Sequence, residues 1–272
     1  MKRIILSCTL GVMIVGVLAG AVTAQDRRGI RPEDPSNPLR ELISGYYFSN
    51  VETRALQDDD FDNPAFLWVD QGATLWKTRQ GASNKACSDC HGSAEQTMRG
   101  VGARYPTYNK ELGRVVDIEQ RIQFCQKKHM RAQPWKWESD QLLAMTAYLK
   151  QYSRGLPVAV SITGPARPYF EKGREFYYRR RGQLNLSCAH CHEYKYGSRL
   201  RSDLLSQGQI NGFPVYRLKW QKLGSTHRRF RGCNKQVRAK PFPYGSDEYT
   251  SLELYLTWRG NGLPIESPSV RR

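Results

Sequence analysis

The pentapeptide C-x-x-C-H occurs twice in the sequence, as CSDCH at Cys87–His91 and as CAHCH at Cys188–His192. Two thiols three residues apart can add to the two vinyl groups of a haem, and the histidine that follows can bind the iron from one face. A zinc site would take four ligands at tight spacing, and a redox dithiol would require neither the histidine nor the second copy. The strings therefore predict two covalently bound haem c groups. The predicted attachment residues are Cys87, Cys90, Cys188 and Cys191, and the predicted iron ligands within the strings are His91 and His192.

The strings do not settle the ligand on the opposite face of each iron. Methionine and histidine are the usual second ligands in c-type cytochromes, but the sequence after Cys191 contains no methionine. One cysteine is left over in each half, 34 residues after His91 and 41 residues after His192, so thiolate ligation by Cys125 and Cys233 is the symmetrical solution. A disulfide between these two cysteines is an alternative in an exported protein. The other candidate ligands are Met98, His129, Met130 and Met145 in the first half and His227 in the second.

The surroundings of Cys233 differ from those of Cys125. Arg228, Arg229 and Arg231 stand within five residues of Cys233. Clustered cations lower the pKa of a thiol and favour the nucleophilic thiolate, and guanidinium groups bind oxyanions through paired hydrogen bonds. Most basic runs are solvated surfaces, but three arginines beside a lone cysteine near a haem predict an anion site here.

An internal repeat shows which elements must position these residues. Residues before the first haem string match residues before the second string at a constant distance of 101 positions along the chain. After the strings, a Tyr-Leu pair and a Gly-Leu-Pro triplet in the first half match the same patterns in the second half at a distance of 107 positions. The second half therefore contains about six additional residues between its haem string and its final helix. Each half reads as a helix, the haem string, a long irregular stretch with little β structure, and a final helix. This order predicts a mainly α fold of two tandem class I cytochrome c-like domains, 55–158 and 159–272. The matched pairs include Gly72 with Gly173, Trp76 with Tyr177 and Gly81 with Gly182.

The N-terminus predicts export. Lys2 and Arg3 precede a long apolar run that ends in a small-residue cleavage pattern at Ala24. We predict a signal peptide over 1–24, with a retained anchor as the alternative because the run is long enough to span a bilayer. The mature chain would be periplasmic, would begin with an extended arm over 25–54 and would have no stable membrane span. The net charge of +17 would otherwise suggest nucleic acid, but export makes an anionic substrate or an acidic partner the better interpretation.

Longer strings resemble a known family. Taken together they cover nearly the whole mature chain, and the sequence resembles the SoxA family, the dihaem c-type cytochrome subunits of the bacterial sulfur-oxidation system. The strings are SGYYFS at Ser44–Ser49, ETRALQDDDFDNP at Glu52–Pro64, CSDCHG at Cys87–Gly92, EQRIQFC at Glu119–Cys125, CAHCH at Cys188–His192, HRRFRGC at His227–Cys233 and RGNGLPIESPSVRR at Arg259–Arg272.

The resemblance implies an L-cysteine S-thiosulfotransferase that pairs with SoxX, a small monohaem cytochrome c. Such an enzyme couples thiosulfate oxidatively to a cysteine of the carrier protein SoxYZ and passes two electrons to c-type haems, and from them to a downstream c-type cytochrome. The resemblance also implies iron ligation by His91 with Cys125 and by His192 with Cys233. It further implies that Cys233 is the catalytic cysteine, carried as a persulfide, and that Arg229, four residues earlier, binds the substrate.

Three rival functions remain open on the sequence. A pure electron-transfer dihaem cytochrome c would perform no sulfur chemistry, and a dihaem peroxidase would need an iron with an open or displaceable ligand. A structural subunit that only docks SoxX would tolerate the replacement of Cys233. The arginines beside Cys233 favour sulfur transfer, because a pure electron carrier does not need an open anion pocket.

Overall fold

The computed structural model describes residues 29–272, so the predicted signal peptide and the first residues of the predicted arm lie outside the described residues. The described chain is mainly helical, and none of its helices is long and apolar enough to cross a lipid bilayer. The α-helices are α1 (Val51–Asp58), α2 (Phe66–Lys77), α3 (Cys87–His91), α4 (Ala94–Thr97), α5 (Ile118–Cys125), α6 (Asp140–Gln151), α7 (Arg167–Tyr178), α8 (Cys188–His192), α9 (Thr226–Gln236) and α10 (Asp247–Arg259). Short 3₁₀ turns span Gly45–Phe48 and Gly164–Ala166, and a π-helical turn spans Gln126–Met130.

Within residues 29–272 the strands are short and form three small sheets. They are β1 (Thr107–Asn109), β2 (Arg114–Val116), β3 (Arg199–Leu200), β4 (Asp203–Leu204), β5 (Val215–Arg217), β6 (Lys222–Gly224) and β7 (Ser269–Arg271). β1 pairs with β2, β3 with β4 and β5 with β6, all antiparallel, and β7 joins the far side of β5 in parallel.

The first and last helices of each half cross at a glycine. A side chain at Gly72 in α2 would collide with the backbone of Ala144 in α6, and one at Gly173 in α7 would collide with the backbone of Ser251 in α10. The missing side chain lets the helices of each pair approach backbone to backbone. These two glycines are a matched pair in the internal repeat, so the repeat marks the same helix crossing in both halves.

The stretch after each haem string is more regular than the sequence predicts. In both halves it contains a β-hairpin, β1–β2 or β5–β6, that leads directly into a helix, α5 or α9. Asp117 caps α5 by accepting from the Gln120 amide, and Ser225 caps α9 by accepting from the Arg228 amide. The prediction of an irregular stretch is therefore wrong here, because three-residue strands are too short to show a period in the sequence.

Each hairpin packs against the opposite half. Val115 of β2 belongs to the hydrophobic core around α7 and α10, whereas Tyr216 and Leu223 of the β5–β6 hairpin belong to the core around α2 and α6. Val270 of β7 joins this first core as well. The halves therefore share their cores, and both halves fix the positions of α5 and α9.

The segment before α1 lies along the second half. Asn37 Nδ2 donates to the carbonyl oxygen of Arg259 at 3.1 Å, and Leu42 packs in a small apolar cluster with Leu263. α1 begins inside the predicted arm. The boundaries at 25–54, 55–158 and 159–272 stay predictions.

Candidate active site

The second haem string forms one helical turn, α8. Residues three apart on a helix lie on the same face, so Cys188 and Cys191 present their thiols on one side, and both thiols are free. Burial and the nearby Cys233 raise the pKa of Cys188 to about 12. This thiol is therefore protonated at neutral pH.

His192 and Cys233 face each other. Nδ1 of His192 donates to the carbonyl oxygen of Ser206 at 2.8 Å, which leaves Nε2 with a free lone pair. The sulfur of Cys233, on α9, lies beside the same imidazole. Burial tends to raise the pKa of Cys233. The charge of Arg229, the contact with His192 and the charge of Arg217 outweigh burial and lower that pKa to about 6, so the sulfur is a thiolate at neutral pH.

These donors fit haem c. Two thiols on one turn match the two attachment points of the porphyrin. The imidazole of His192 and the thiolate of Cys233 are both axial ligands that haem iron accepts. Cys188, Cys191, His192 and Cys233 therefore form a donor set that would suit a haem c in the second half.

The first haem string has a similar arrangement but different electrostatics. Burial and the nearby Cys125 raise the pKa of Cys87 to about 11. Burial also raises the pKa of Cys125, which the charge of Arg121 opposes only in part. The second cysteine and the histidine of this string are exposed to solvent. Cys125 thus lies beside the first string but lacks the strong thiolate character of Cys233.

Of the three arginines beside Cys233, Arg229 contributes the largest favourable charge effect on the thiolate. Arg229 lies four residues before Cys233 and shares its helix face. Arg228 instead lies over the ring of Trp220 at 4.2 Å and pairs with Glu138 at 3.5 Å. Arg228 and Arg229 therefore point to different partners, since neighbouring residues on α9 face different directions.

The side chain of Arg231 is also engaged elsewhere. Its guanidinium lies over the ring of Tyr244 at 4.6 Å and donates to the carbonyl oxygen of Phe242. The guanidinium of Arg231 therefore contacts residues of the loop after α9.

Sequence reasoning missed Arg217, which supplies the second charge. It is the last residue of β5, and its Nε and Nη2 donate to the backbone oxygen of Arg272 at 2.8 and 2.5 Å. Burial and the like charge of Arg229 lower the pKa of Arg217 to about 10. The sequence carries no signal for this residue, because it stands sixteen residues before Cys233 in a hairpin that leaves no pattern.

His227, a candidate ligand for the second iron, lies elsewhere. The Gly245 amide donates to its Nδ1 at 3.0 Å, and its ring stacks on Trp137 at 4.7 Å. Its Nε2 faces Glu253 at 3.3 Å. The histidine is fully buried among these groups, so it is not placed to bind the iron opposite His192.

The disulfide between Cys125 and Cys233 is not formed, since both cysteines are free. Of the candidate iron ligands in the first half, Met98 and Met145 are part of the hydrophobic core. His129 is exposed on the π-helical turn next to Cys125, and Met130 at the end of that turn is buried. Cys125 lies near both cysteines of the first string.

Comparisons with known proteins agree on one family. The sequence model of the SoxA/TsdA cytochrome c domain matches residues 71–158. The chain is 46% identical over 244 residues to the L-cysteine S-thiosulfotransferase subunit SoxA of Rhodovulum sulfidophilum, covering 90% of this chain and 85% of that protein. It is 44% identical over 230 residues to the corresponding subunit of Paracoccus pantotrophus, covering 85% and 79%. The crystal structure of SoxXA from P. pantotrophus matches with a TM-score of 0.84 and 42% identity, over 86% of this chain and 89% of that chain.

Proposed function

The chain belongs to the SoxA family, and from this premise we propose that it is the subunit of an L-cysteine S-thiosulfotransferase that couples thiosulfate to a cysteine of a SoxYZ-type carrier. The observation that carries the proposal is the position of Cys233 on α9, one helical turn after Arg229 and opposite His192. An arginine next to a cysteine of low pKa provides anion binding and a nucleophilic sulfur at one place. A pure electron carrier requires neither.

We assign one haem c to each string. The duplicated helix crossing and the duplicated hairpin support two cytochrome c-like domains, 55–158 and 159–272, of the class I type. When bound, the haems supply one-electron acceptors for the two electrons that sulfur–sulfur coupling releases. The first haem would be held by Cys87 and Cys90, with His91 and Cys125 as ligands, and the second by Cys188 and Cys191, with His192 and Cys233 as ligands.

Thiosulfate is a small dianion, and two guanidinium groups lie beside the Cys233 sulfur. Arg229 would hold the sulfonate end through charge-assisted hydrogen bonds, which are about twice as strong as neutral ones. Arg217 adds a second positive charge near the same sulfur. The sulfane end of thiosulfate would then face Cys233.

The proposed reaction has two steps, an oxidative coupling followed by a thiol–disulfide exchange. Coupling of the Cys233 thiolate to the sulfane sulfur of thiosulfate forms one S–S bond, releases two electrons and leaves Cys233–S–S–SO₃⁻. The carrier thiolate then attacks that sulfane sulfur, forms carrier–S–S–SO₃⁻ and returns Cys233 as a thiolate. If Cys233 carries a persulfide, as the family resemblance implies, the terminal sulfur of the persulfide replaces the Cys233 thiolate in both steps. The coupling step then still releases two electrons.

The partners follow from the family and from the charge. SoxX as the partner subunit is supported by the match to the SoxXA crystal structure. The basic chain, with a formal charge of +17, suits an acidic carrier protein and a downstream c-type cytochrome. The N-terminal sequence supports a periplasmic location.

Replacement of the catalytic sulfur tests the proposal. The Cys233→Ala variant, purified with its partner subunit, should lose thiosulfate-dependent modification of the carrier, measured as the mass gain on the carrier cysteine. Cys125→Ala is the matched control, since it removes the corresponding cysteine of the first half and should keep carrier modification. Intact mass should show both haems attached in each variant. Full carrier modification by Cys233→Ala would remove Cys233 from the mechanism.

A further inference from the structure

A backbone segment covers the outer edge of the His192 ring. The Ser206 carbonyl oxygen accepts a hydrogen bond from His192 Nδ1 at 2.8 Å. Two residues later, Gly208 lies so close to the ring that a Cβ atom there would be 3.0 Å from Cγ of His192. Gly208 also has a φ of +74°, a backbone conformation that residues other than glycine rarely adopt. We call Ser206–Gly208 the proximal strap.

The middle residue fixes the proximal strap to two distant parts of the chain. Gln207 is fully buried. Its Oε1 accepts from the Ile43 amide at 2.7 Å, and its Nε2 donates to the Glu41 carbonyl at 2.9 Å. Its backbone oxygen accepts from Nη1 of the buried Arg259, in α10, at 3.1 Å. Three hydrogen bonds from elsewhere in the fold therefore hold Gln207, the residue that follows the Ser206 carbonyl.

The first half has no counterpart of this arrangement. Within residues 29–272, none of the hydrogen bonds involves the ring of His91, whose nearest aromatic neighbour is Trp76 at 5.7 Å between ring centroids. The extra residues of the second half lie between its haem string and its main hairpin, where they form β3–β4 and lead into the proximal strap. The insertion thus supplies a hydrogen-bond acceptor to one of the two histidines.

We propose that the proximal strap positions His192 and strengthens its donation to iron, which lowers the reduction potential of the second haem. The inference rests on the proposed attachment of haem at Cys188–His192. A hydrogen bond from Nδ1 fixes the tautomer and orientation of a ligating imidazole and makes the other nitrogen more basic. A more basic ligand favours the oxidised iron. A fixed His192 also confines any change of ligand to the Cys233 side, where the sulfur chemistry takes place.

Two substitutions in the proximal strap test its effect, and a glycine outside it serves as the control. Gln207→Leu removes both hydrogen bonds to the N-terminal segment at similar side-chain size. Gly208→Ala places a methyl group against His192. Gly197→Ala is the matched control, because Gly197 also has a positive φ (+81°) but a Cβ there would meet nothing within 4 Å.

The readout is the reduction potential of each haem by redox titration, with haem attachment checked by intact mass and by mapping of the haem peptides. Gln207→Leu and Gly208→Ala should shift the potential of the second haem upward and leave that of the first unchanged, while Gly197→Ala should change neither. Unchanged potentials in both strap variants, with both haems attached, would overturn the inference. A second string without haem in the wild-type protein would instead contradict the proposed function.

The wild-type protein provides a measurement that does not depend on the folding of variants. Its Nδ1 proton on His192 should appear in proton NMR spectra as a shifted resonance that exchanges slowly with solvent, because the Ser206 carbonyl holds it. The exposed His91 should show no such protection. A His192 proton that exchanges as fast as that of His91 would overturn the inference.

Discussion

The Arg229 guanidinium should determine how much thiosulfate the enzyme requires. Arg229 is the strongest of the charges that favour the Cys233 thiolate, and it is the proposed ligand of the sulfonate. The Arg229→Met substitution removes the charge but keeps a long apolar side chain in α9. Hydrogen bonds to charged groups contribute about 1.5–3 kcal/mol each. Since 1.4 kcal/mol corresponds to about tenfold in binding, the loss of one such interaction should raise KM for thiosulfate by about 10- to 150-fold.

Arg229→Lys should lie between the wild type and Arg229→Met, because lysine keeps the charge but not the two-pronged donor geometry. Arg228→Met is the matched control. It removes an adjacent arginine whose charge is directed to Trp220 and Glu138. The loss of an exposed charge interaction costs about 0.5 kcal/mol, so KM for thiosulfate should change less than about threefold.

The assay is steady-state modification of the carrier over a range of thiosulfate concentrations, at fixed carrier and with a c-type cytochrome as electron acceptor. Separate fits of KM and kcat distinguish substrate binding from slower chemistry. Visible spectra and intact mass should show both haems in all variants. Equal KM values for Arg229→Met and Arg228→Met would refute the assignment of Arg229 to the substrate.

Two further predictions concern residues whose roles are visible only in the tertiary structure. Arg217→Gln should also raise KM for thiosulfate, by less than Arg229→Met, because its guanidinium is shared with the Arg272 oxygen; an unchanged KM would exclude it from the anion site. Burial and the charge of Glu253 raise the pKa of Glu119 from 4.5 to about 8, so the folded state holds this proton more tightly than the unfolded state does. The protonated Glu119 contributes fully to the free energy of unfolding below about pH 4.5, and this contribution is lost as the pH rises through about 8. The free energy of unfolding should therefore fall over that range by an amount on the order of a few kcal/mol. Glu119→Gln should flatten the profile and the exposed-site control Glu95→Gln should not; parallel profiles for wild type and Glu119→Gln would contradict the raised pKa.

The residues that act through local spacing are visible in the sequence alone. Both haem strings are single helical turns, so their chemistry depends only on neighbours along the chain. The spacing of Arg229 and Cys233 works in the same way, since four residues return to one face of α9. The matched glycines report the helix crossings because only glycine lets two helices pack backbone to backbone at those points.

The residues that act across the fold depend on tertiary structure. Arg217 reaches Cys233 from a hairpin, and the Ser206 carbonyl reaches His192 from an inserted loop that Gln207 ties to the N-terminal segment. Arg228, next to Arg229 in the sequence, points elsewhere because Trp220 and Glu138 are placed to receive it. A sequence shows which groups are neighbours along a helix, but the direction of a charge and the partner of a carbonyl are set by which surfaces pack together.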